Sequence, residues 1–371
     1  MPERHCSSKT EDFLVVKKLN VCILFGGMSP EHAVSLRSAE SVLNKLNSEK
    51  YNVYPVGITR EGRWLHYGGS DYSLLPGGAW EDHADNCPAA ISPIWGQGLL
   101  RFAKEGVQQI PLDVAFPVLH GENGEDGAVQ GLLQLAGIPC VGPGVASSAV
   151  CMDKALTKLV VDHIGQPQAA WHLVRKQELQ HHMEQILAQL QSKFSFPMFV
   201  KPAGTGSSVG VSKATDALSL QAALLVAAEY DEKILVEEFI RGREVEVAVM
   251  GNDSPIASIC GEIDSGAEFY DYDAKYITDT SVAYIPARID EDVAEQVRDA
   301  AVKIYSALGC RGLSRVDFFV TYDDNRMVFN EINTLPGFTS ISMYPKLFEA
   351  SGVAYTDLLD QLLELAMEAA Q

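Results

Sequence analysis

Glu331 and Asn333 stand two residues apart at the end of an apolar run, Val328-Phe329-Asn330-Glu331-Ile332-Asn333. On a strand, residues two apart share a face, so a carboxylate and an amide oxygen point the same way. That pair suits a hard cation such as Mg²⁺, which takes oxygen ligands and keeps positions for water or phosphate. Upstream, Ser314-Arg315-Val316-Asp317-Phe318-Phe319 also reads as a strand, with Arg315 and Asp317 on one face. Two adjacent strands carrying Asp317, Glu331 and Asn333 would make one metal–phosphate site beside the turn at Pro336-Gly337.

Chemistry on phosphate also needs donors and cations. Residues 196–202 read as a strand with Lys201 near its end. The loop Ala203-Gly204-Thr205-Gly206-Ser207-Ser208-Val209-Gly210-Val211 follows, offering backbone N–H groups and hydroxyls beside that lysine. It is not a Walker A loop, because the lysine precedes the glycines and no helix follows directly. A Gly/Ser hairpin without a ligand is the plainer reading of the same residues. Met152-Asp153-Lys154 opens a helix through Ile164. Residues 233–240 form an apolar strand delivering Glu237 and Glu238 to its end, a layout suited to an adenine edge and ribose hydroxyls.

The elements that must position these groups are read from pattern. Residues 20–25 form a buried parallel strand ending in Gly26-Gly27, with Ser29 as N-cap and Pro30 opening the next helix. Tyr51–Ile58 is the following strand, so the N-terminus is βαβ and a ligand is expected beside Gly26-Gly27, where Glu31 sits. Glu31 also reads as a first-turn carboxylate complementing the helix dipole. Residues 60–110 read as hairpins and loops. Residues 112–119 form another buried strand, ending in His120-Gly121-Glu122-Asn123-Gly124-Glu125-Asp126-Gly127. His120 is either structural or part of the crevice that holds Glu31. A helix over Ala128–Ala136 and a strand over 138–141 follow. The segment 241–244 reads as a turn, and 245–250 begins another sheet. Residues 268–276 mix aromatic and charged side chains and read as a surface loop or lid, with Lys275 and Tyr276 pointing inward. Residues 291–308 form an amphipathic helix and 355–367 a helix with a core-facing stripe.

Composition narrows the class. The length of 371 residues allows two or three domains. A net charge of −20 argues against nucleic acid or an anionic membrane as partner. Anionic ligands must then be met by local cations, metal ions or backbone N–H groups. The seven cysteines include no Cys-x-x-Cys pair and read as reduced thiols of a cytoplasmic protein. No apolar run is long enough for a membrane helix. Residues 1–19 read as a flexible tail.

Taken in order, these segments resemble the D-alanine–D-alanine ligases of the ATP-grasp superfamily, across residues 20–368. The resemblance rests on Gly26-Gly27, Glu31-His32, Leu119-His120-Gly121, Gly124-Glu125-Asp126-Gly127, Met152-Asp153-Lys154, Lys201-Pro202, Gly206-Ser207-Ser208-Val209-Gly210, Lys275-Tyr276, Arg315, Asp317, Asn330-Glu331, Asn333-Thr334 and Pro336-Gly337. It implies an α/β, three-domain ATP-grasp fold with a doubly wound, Rossmann-like first domain. The expected units are residues 20–150 (first D-alanine, dimer contact), 151–244 (central ATP-grasp part) and 245–371 (metal site and lid).

The resemblance also implies roles. Lys154, Lys201, Gly206, Ser207 and Ser208 would meet ATP phosphates. Glu237, Glu238, Phe239, Ile240 and Glu244 would meet adenine and ribose. Asp317, Glu331 and Asn333 would bind two Mg²⁺ or Mn²⁺. Glu31 would receive the first D-alanine's ammonium beside His120, and Glu31, Ser207 and Tyr276 would form one hydrogen-bonded set. Arg315 and the Gly337 N–H would stabilise the oxyanion. Lys275 and Ser342, with Met343 adjoining, would hold the second D-alanine's carboxylate. The activity implied is ATP-dependent joining of two D-alanines through D-alanyl phosphate, for peptidoglycan precursors, by a cytoplasmic homodimer with K⁺ as a further cation. Joining D-alanine to D-lactate or D-serine is the same-fold alternative, and a non-catalytic nucleotide-binding regulator the distant one. Ala33, where the family more often has an acid, and the Gly-rich Ala203-Gly204-Thr205 depart from the pattern.

Overall fold

The computed structural model describes residues 17–264 and 282–370. The described residues build three sheets. The first runs from parallel strands Leu19–Gly26, Tyr51–Ile58 and Val114–Pro117 into an antiparallel extension made by residues 64–110. The second is the four-stranded antiparallel sheet of Trp171–Arg175, Met198–Pro202, Ser212–Ala214 and Lys233–Glu238. The third is antiparallel and centres on Gly242–Met250, Leu313–Thr321 and Met327–Asn333.

Alternation along the strands decides what each sheet face does. In Leu19–Gly26, Val21, Ile23 and Phe25 face one core and Cys22 and Leu24 the other. Both faces are apolar because both are covered, as a parallel strand requires. One cover is helix His32–Lys45 together with the C-terminal helices Met343–Ala350 and Tyr355–Ala369. The other is helix Ala128–Ala136. Strand Gly242–Met250 divides in the same way. Val245, Val247 and Val249 pack with helix Glu291–Ala307, whereas Ala248 and Met250 join the core of Val21 and Phe25. One apolar core therefore runs continuously from the first sheet to the third.

The middle sheet differs. Met198, Val200, Ile234 and Val236 face helices Lys176–Lys193 and Ala217–Tyr230. The opposite face carries Phe199, Lys201, Leu235 and Glu237, in register across two strands. Helix Lys154–His163 lies over part of that face and leaves the rest to a cleft.

Several expected boundaries move. The first helix begins at His32, not at Pro30; in the turn before it the Ser29 hydroxyl donates to His120 O and its oxygen accepts from the Glu31 N–H at 3.1 Å. The strand expected over 112–119 is confined to Val114–Pro117. Residues 138–141 make only a single bridge, Cys140 to Ala115, because Pro139 lacks an N–H and Gly142 turns the chain. The turn expected at 241–244 is strand from Gly242 onward, paired with Thr321. Helix Lys176–Lys193, kinked at His182, has a diluted apolar stripe and escapes a periodicity reading.

Candidate active site

A cavity of about 1720 Å³ opens where the three sheets converge, and every described candidate from the sequence lines it. Lys275 and Tyr276 lie outside the described residues.

The metal candidates stand as the strand reading required. Asp317 is the direct cross-strand partner of Glu331, and Arg315 that of Asn333. A register irregularity follows Asp317, so the ladder breaks beside these carboxylates. Asn333 donates from its side-chain amide to Asp317 Oδ2 at 2.9 Å. Arg315 forks onto the same carboxylate, Nε to Oδ1 at 2.8 Å and Nη2 to Oδ2 at 2.7 Å. Its Nε is also 3.2 Å from Glu246 Oε2. Burial works against the guanidinium charge, but Asp317 and Glu246 outweigh it and keep the group firmly protonated. Among the described residues no three His, Cys, Asp or Glu side chains cluster as a self-sufficient metal cage. Two facing carboxylates and an amide instead fit a cation that takes its remaining oxygens from water or phosphate.

The phosphate-loop candidates meet the first sheet directly. Ser207 donates to a carboxylate oxygen of Glu31, which is 9% exposed. Ser207 and Ser208 both adopt left-handed backbone conformations, φ 48° and 58°, uncommon for residues with a Cβ. Strain of that kind persists where surrounding contacts impose it, and it clusters at ligand-binding loops. Gly206 and Gly121 press on Glu31 from two sides: a Cβ on Gly121 would lie 2.5 Å from Glu31 Oε2, and one on Gly206 3.0 Å. Lys154, from the first turn of its helix, donates to Thr205 O at 2.6 Å. Lys201 reaches Glu237 at 2.7 Å and Asn330 Oδ1 at 3.4 Å.

The nucleotide-edge candidates are less open than their reading implied. Glu237 is 5% exposed and both its oxygens are taken, Oε1 by Lys158 at 2.8 Å and Oε2 by Lys201. Burial raises its pKa, but the two ammonium groups win and hold it near 2. Glu238 accepts from the Ala170 N–H at 2.8 Å. Phe239 stacks near Phe199 and carries the Lys213 ammonium 4.8 Å from its ring centroid. Ile240 is buried, and Glu244 lies on strand Gly242–Met250 opposite Phe319.

On the opposite wall, His120 is buried with both ring nitrogens engaged, Nδ1 at 3.0 Å from Leu335 O and Nε2 at 3.1 Å from Ser38 Oγ. Burial lowers its pKa, which keeps the ring neutral. Ser342 Oγ accepts from the Thr339 N–H at 3.0 Å and sits where a Gly337 Cβ would intrude, at 2.8 Å. Met343 is buried against the core, its methyl packed on Gly261.

Four groups of this site escaped the sequence reading: Glu125, Lys158, Glu246 and Ser38. Glu125 accepts from the Gly121 N–H at 2.8 Å and the Leu335 N–H at 3.1 Å, tying the His120 loop to the turn before Gly337. Burial and the nearby Glu31 charge raise its pKa to about 8. Its signal lay in the acidic Gly-rich run, and that of Lys158 in being one helical turn beyond Lys154. Ser38 and Glu246 carry no local signal, because the elements that bring partners to them are distant in sequence.

The chain was compared with known families, proteins and structures. Residues 20–143 match the family described as D-ala D-ala ligase N-terminus, and residues 160–364 that described as D-ala D-ala ligase C-terminus. The chain is 49% identical to a D-alanine–D-alanine ligase of Acetivibrio thermocellus, covering 95% of this chain and 96% of that one. It is also 49% identical to the one of Caldicellulosiruptor bescii, with the same coverage. Among solved structures, the VanG D-Ala:D-Ser ligase of Enterococcus faecalis aligns with TM-score 0.85 and 40% identity, over 94% of this chain and all of that one. The D-alanine–D-alanine ligase of Coxiella burnetii aligns with TM-score 0.81 and 36% identity, over 95% of each. The chain belongs to the D-alanine–D-alanine ligase family, ATP-dependent ligases of the ATP-grasp fold.

Proposed function

We propose that the chain joins two D-alanines into D-alanyl-D-alanine at the expense of ATP, using the residues of this cavity. The observation that carries the reading is the convergence in one cavity of an ammonium-accepting carboxylate, Glu31, a cationic phosphate wall and the Asp317–Glu331 pair. In the first step a carboxylate oxygen of one D-alanine attacks the γ-phosphorus of ATP, the bond to the β-phosphate oxygen breaks, and ADP leaves. Such a transfer depends on positioning and charge neutralisation more than on covalent help from the protein. Lys154, Lys201 and the loop N–H groups of 204–208 provide both. Asp317, Glu331 and Asn333 would hold Mg²⁺ or Mn²⁺, which supplies further neutralisation of the phosphate charge.

Glu31, held by Ser207, would receive the first substrate's ammonium, with neutral His120 as the adjacent wall. In the second step the free amine of the other D-alanine attacks the acyl carbon. The tetrahedral oxyanion meets Arg315 and the Gly337 N–H, and collapse expels phosphate, which carries away the proton that the nitrogen gives up. Ser342 and Lys275 would hold the second carboxylate. D-alanyl phosphate is labile in water, so Tyr276 and the 268–276 segment are assigned to closure over the site. The same reading includes a homodimer formed through the first domain.

Mixing the protein with ATP, Mg²⁺, D-alanine and equal D-serine or D-lactate tests the second-substrate choice. The dipeptide of two D-alanines is expected as main product. A mainly mixed dipeptide or depsipeptide would move the chain to the alternative specificity, represented by the aligned D-Ala:D-Ser ligase. Absence of D-alanine-dependent phosphate release would leave only the regulator reading.

A further inference from the structure

Lys158 is 1% exposed, and a buried ammonium is retained only where its charge is matched. It lies one turn beyond Lys154 on helix Lys154–His163, beneath the cleft-facing side of the middle sheet. Its Nζ is 2.8 Å from Glu237 Oε1, and the other oxygen of that carboxylate is 2.7 Å from Lys201 Nζ. Gln168 brackets Lys158, donating from its side-chain amide to Lys158 O at 2.8 Å. The backbone beside Gln168 is joined to strand Met327–Asn333, where the Phe329 N–H donates to Pro167 O. Lys201 extends toward the same strand, 3.4 Å from Asn330 Oδ1. The order is thus Lys158, Glu237, Lys201, Asn330, running from the protein interior to the rim of the cavity.

A carboxylate shared by two ammonium groups is fixed in orientation only while both remain. Without Lys158, Glu237 keeps a single cation and gains freedom to rotate. Lys201 then loses the fixed orientation of one of the groups that hold its ammonium. We infer that Lys158 is a positioning residue for the nucleotide-phosphate site: it immobilises Glu237, and through Glu237 it fixes the ammonium of Lys201. The inference rests on the reading above that Lys201 meets the phosphates of ATP. Three cationic or anionic side chains make the unit, and their sum is one positive charge facing a polyanion.

The test uses the full chain with Lys158→Met, which keeps length and removes charge. ATP dissociation constants are measured by calorimetry with Mg²⁺ present, alongside KM for ATP and for D-alanine. The expected result is an ATP affinity lower by about ten- to a hundredfold, the range of one charge-assisted hydrogen bond. KM for D-alanine should stay within about twofold, a split that general loss of stability would not produce. Where Lys158→Met does not fold, Lys158→Arg preserves the charge in the slot but not its reach, and a loss of ATP affinity of at least about threefold is expected, a fraction of that same bond. Wild-type ATP binding in whichever variant folds overturns the inference, as does an equal rise in both KM values. Lys201→Met, measured in parallel, separates the two levels of the argument. Weak ATP binding there with wild-type binding in the Lys158 variant overturns the positioning role alone. Wild-type binding in Lys201→Met overturns the phosphate role of Lys201 and the inference with it.

Discussion

The hydroxyl of Ser207 donates to the carboxylate of Glu31 across the cavity, joining the Gly-rich loop of the middle sheet to the helix start of the first sheet. Under the proposed function, the order of that loop and the reception of the first substrate's ammonium would be coupled through this bond. Ser207→Ala should raise KM for the first D-alanine by about tenfold or more, because a hydrogen bond to a charged group contributes about 1.5–3 kcal/mol. Overall stability should change little, since Ser207 is half-buried at the cavity edge. Steady-state kinetics with subsaturating D-alanine checks this, and an unchanged KM would mean that the Ser207 bond does not hold Glu31 for the substrate.

Gly121 explains why the loop after the third parallel strand cannot carry a side chain at that point. Its φ is +72°, and a Cβ would lie 2.5 Å from Glu31 Oε2. Gly121→Ala should cost about 1–2 kcal/mol from the left-handed backbone alone. Displacement of Glu31 should then weaken D-alanine binding more than ATP binding. Parallel titrations of the two ligands measure the difference. Equal losses for both would mean that the loop shifts as a whole and Glu31 is not the element disturbed.

Glu331 stands opposite Asp317 on the next strand, and under the proposed function the pair would hold the metal. Glu331→Gln removes a charge without changing shape, so turnover should fall by at least about a hundredfold, as expected when an electrostatic partner of the transition state is lost. The urea midpoint should move little by comparison. Titration with Mn²⁺ followed by its magnetic resonance signal reads the metal directly. Wild-type metal affinity in the variant would place the cation elsewhere.

Much of this arrangement was legible in the chain. The period-two pattern placed Arg315 with Asp317 and Glu331 with Asn333, and the observed register pairs those residues across the ladder. Long buried strands announced themselves by continuous apolar runs, and helix Ala128–Ala136 by its glycine boundaries. The partners of charges were not legible. Nothing near Glu237 indicates that two lysines would close on it, because Lys158 and Lys201 reach it from different elements. Nor does any local pattern show that the C-terminal helices complete the core of the first sheet. Those facts belong to packing between elements far apart in sequence, where neither propensity nor period reaches.

Asp360 on the last helix is the polar counterpart of that shared core. It accepts from Tyr51 Oη at 2.7 Å and from Lys50 Nζ at 2.5 Å. Lys50 is half exposed, whereas the Tyr51 bond is buried. The two partners should therefore differ in weight. Lys50→Ala should cost much less than Asp360→Ala, because exposed ion pairs contribute little. Asp360→Ala should cost about 2–3 kcal/mol, since it also strands the Tyr51 hydroxyl. Urea unfolding of the two variants separates them, and equal costs would mean that the helix is held by its apolar face alone.

Glu125 supplies a pH dependence with a definite sign. Burial first, and then the neighbouring Glu31 charge, raise its pKa to about 8 from the ordinary 4.5. Below about 4.5 the carboxyl is protonated in both folded and unfolded chains, and its contribution is constant. From there to about 8 the folded protein keeps a proton that the unfolded chain has released. Stability must then fall as pH rises through that window, by up to about 1.4 kcal/mol per pH unit for one proton. Glu125→Gln cannot titrate and still offers an oxygen to one of the two backbone N–H donors. The stability of the wild type minus that of the variant should accordingly decrease from pH 5 toward about pH 8 and level off above it. Urea denaturation across that pH series measures the difference directly, and titrating groups that do not interact with Glu125 cancel in it. A difference that rises with pH would mean that the Gly121 and Leu335 N–H donors dominate and hold Glu125 ionised throughout.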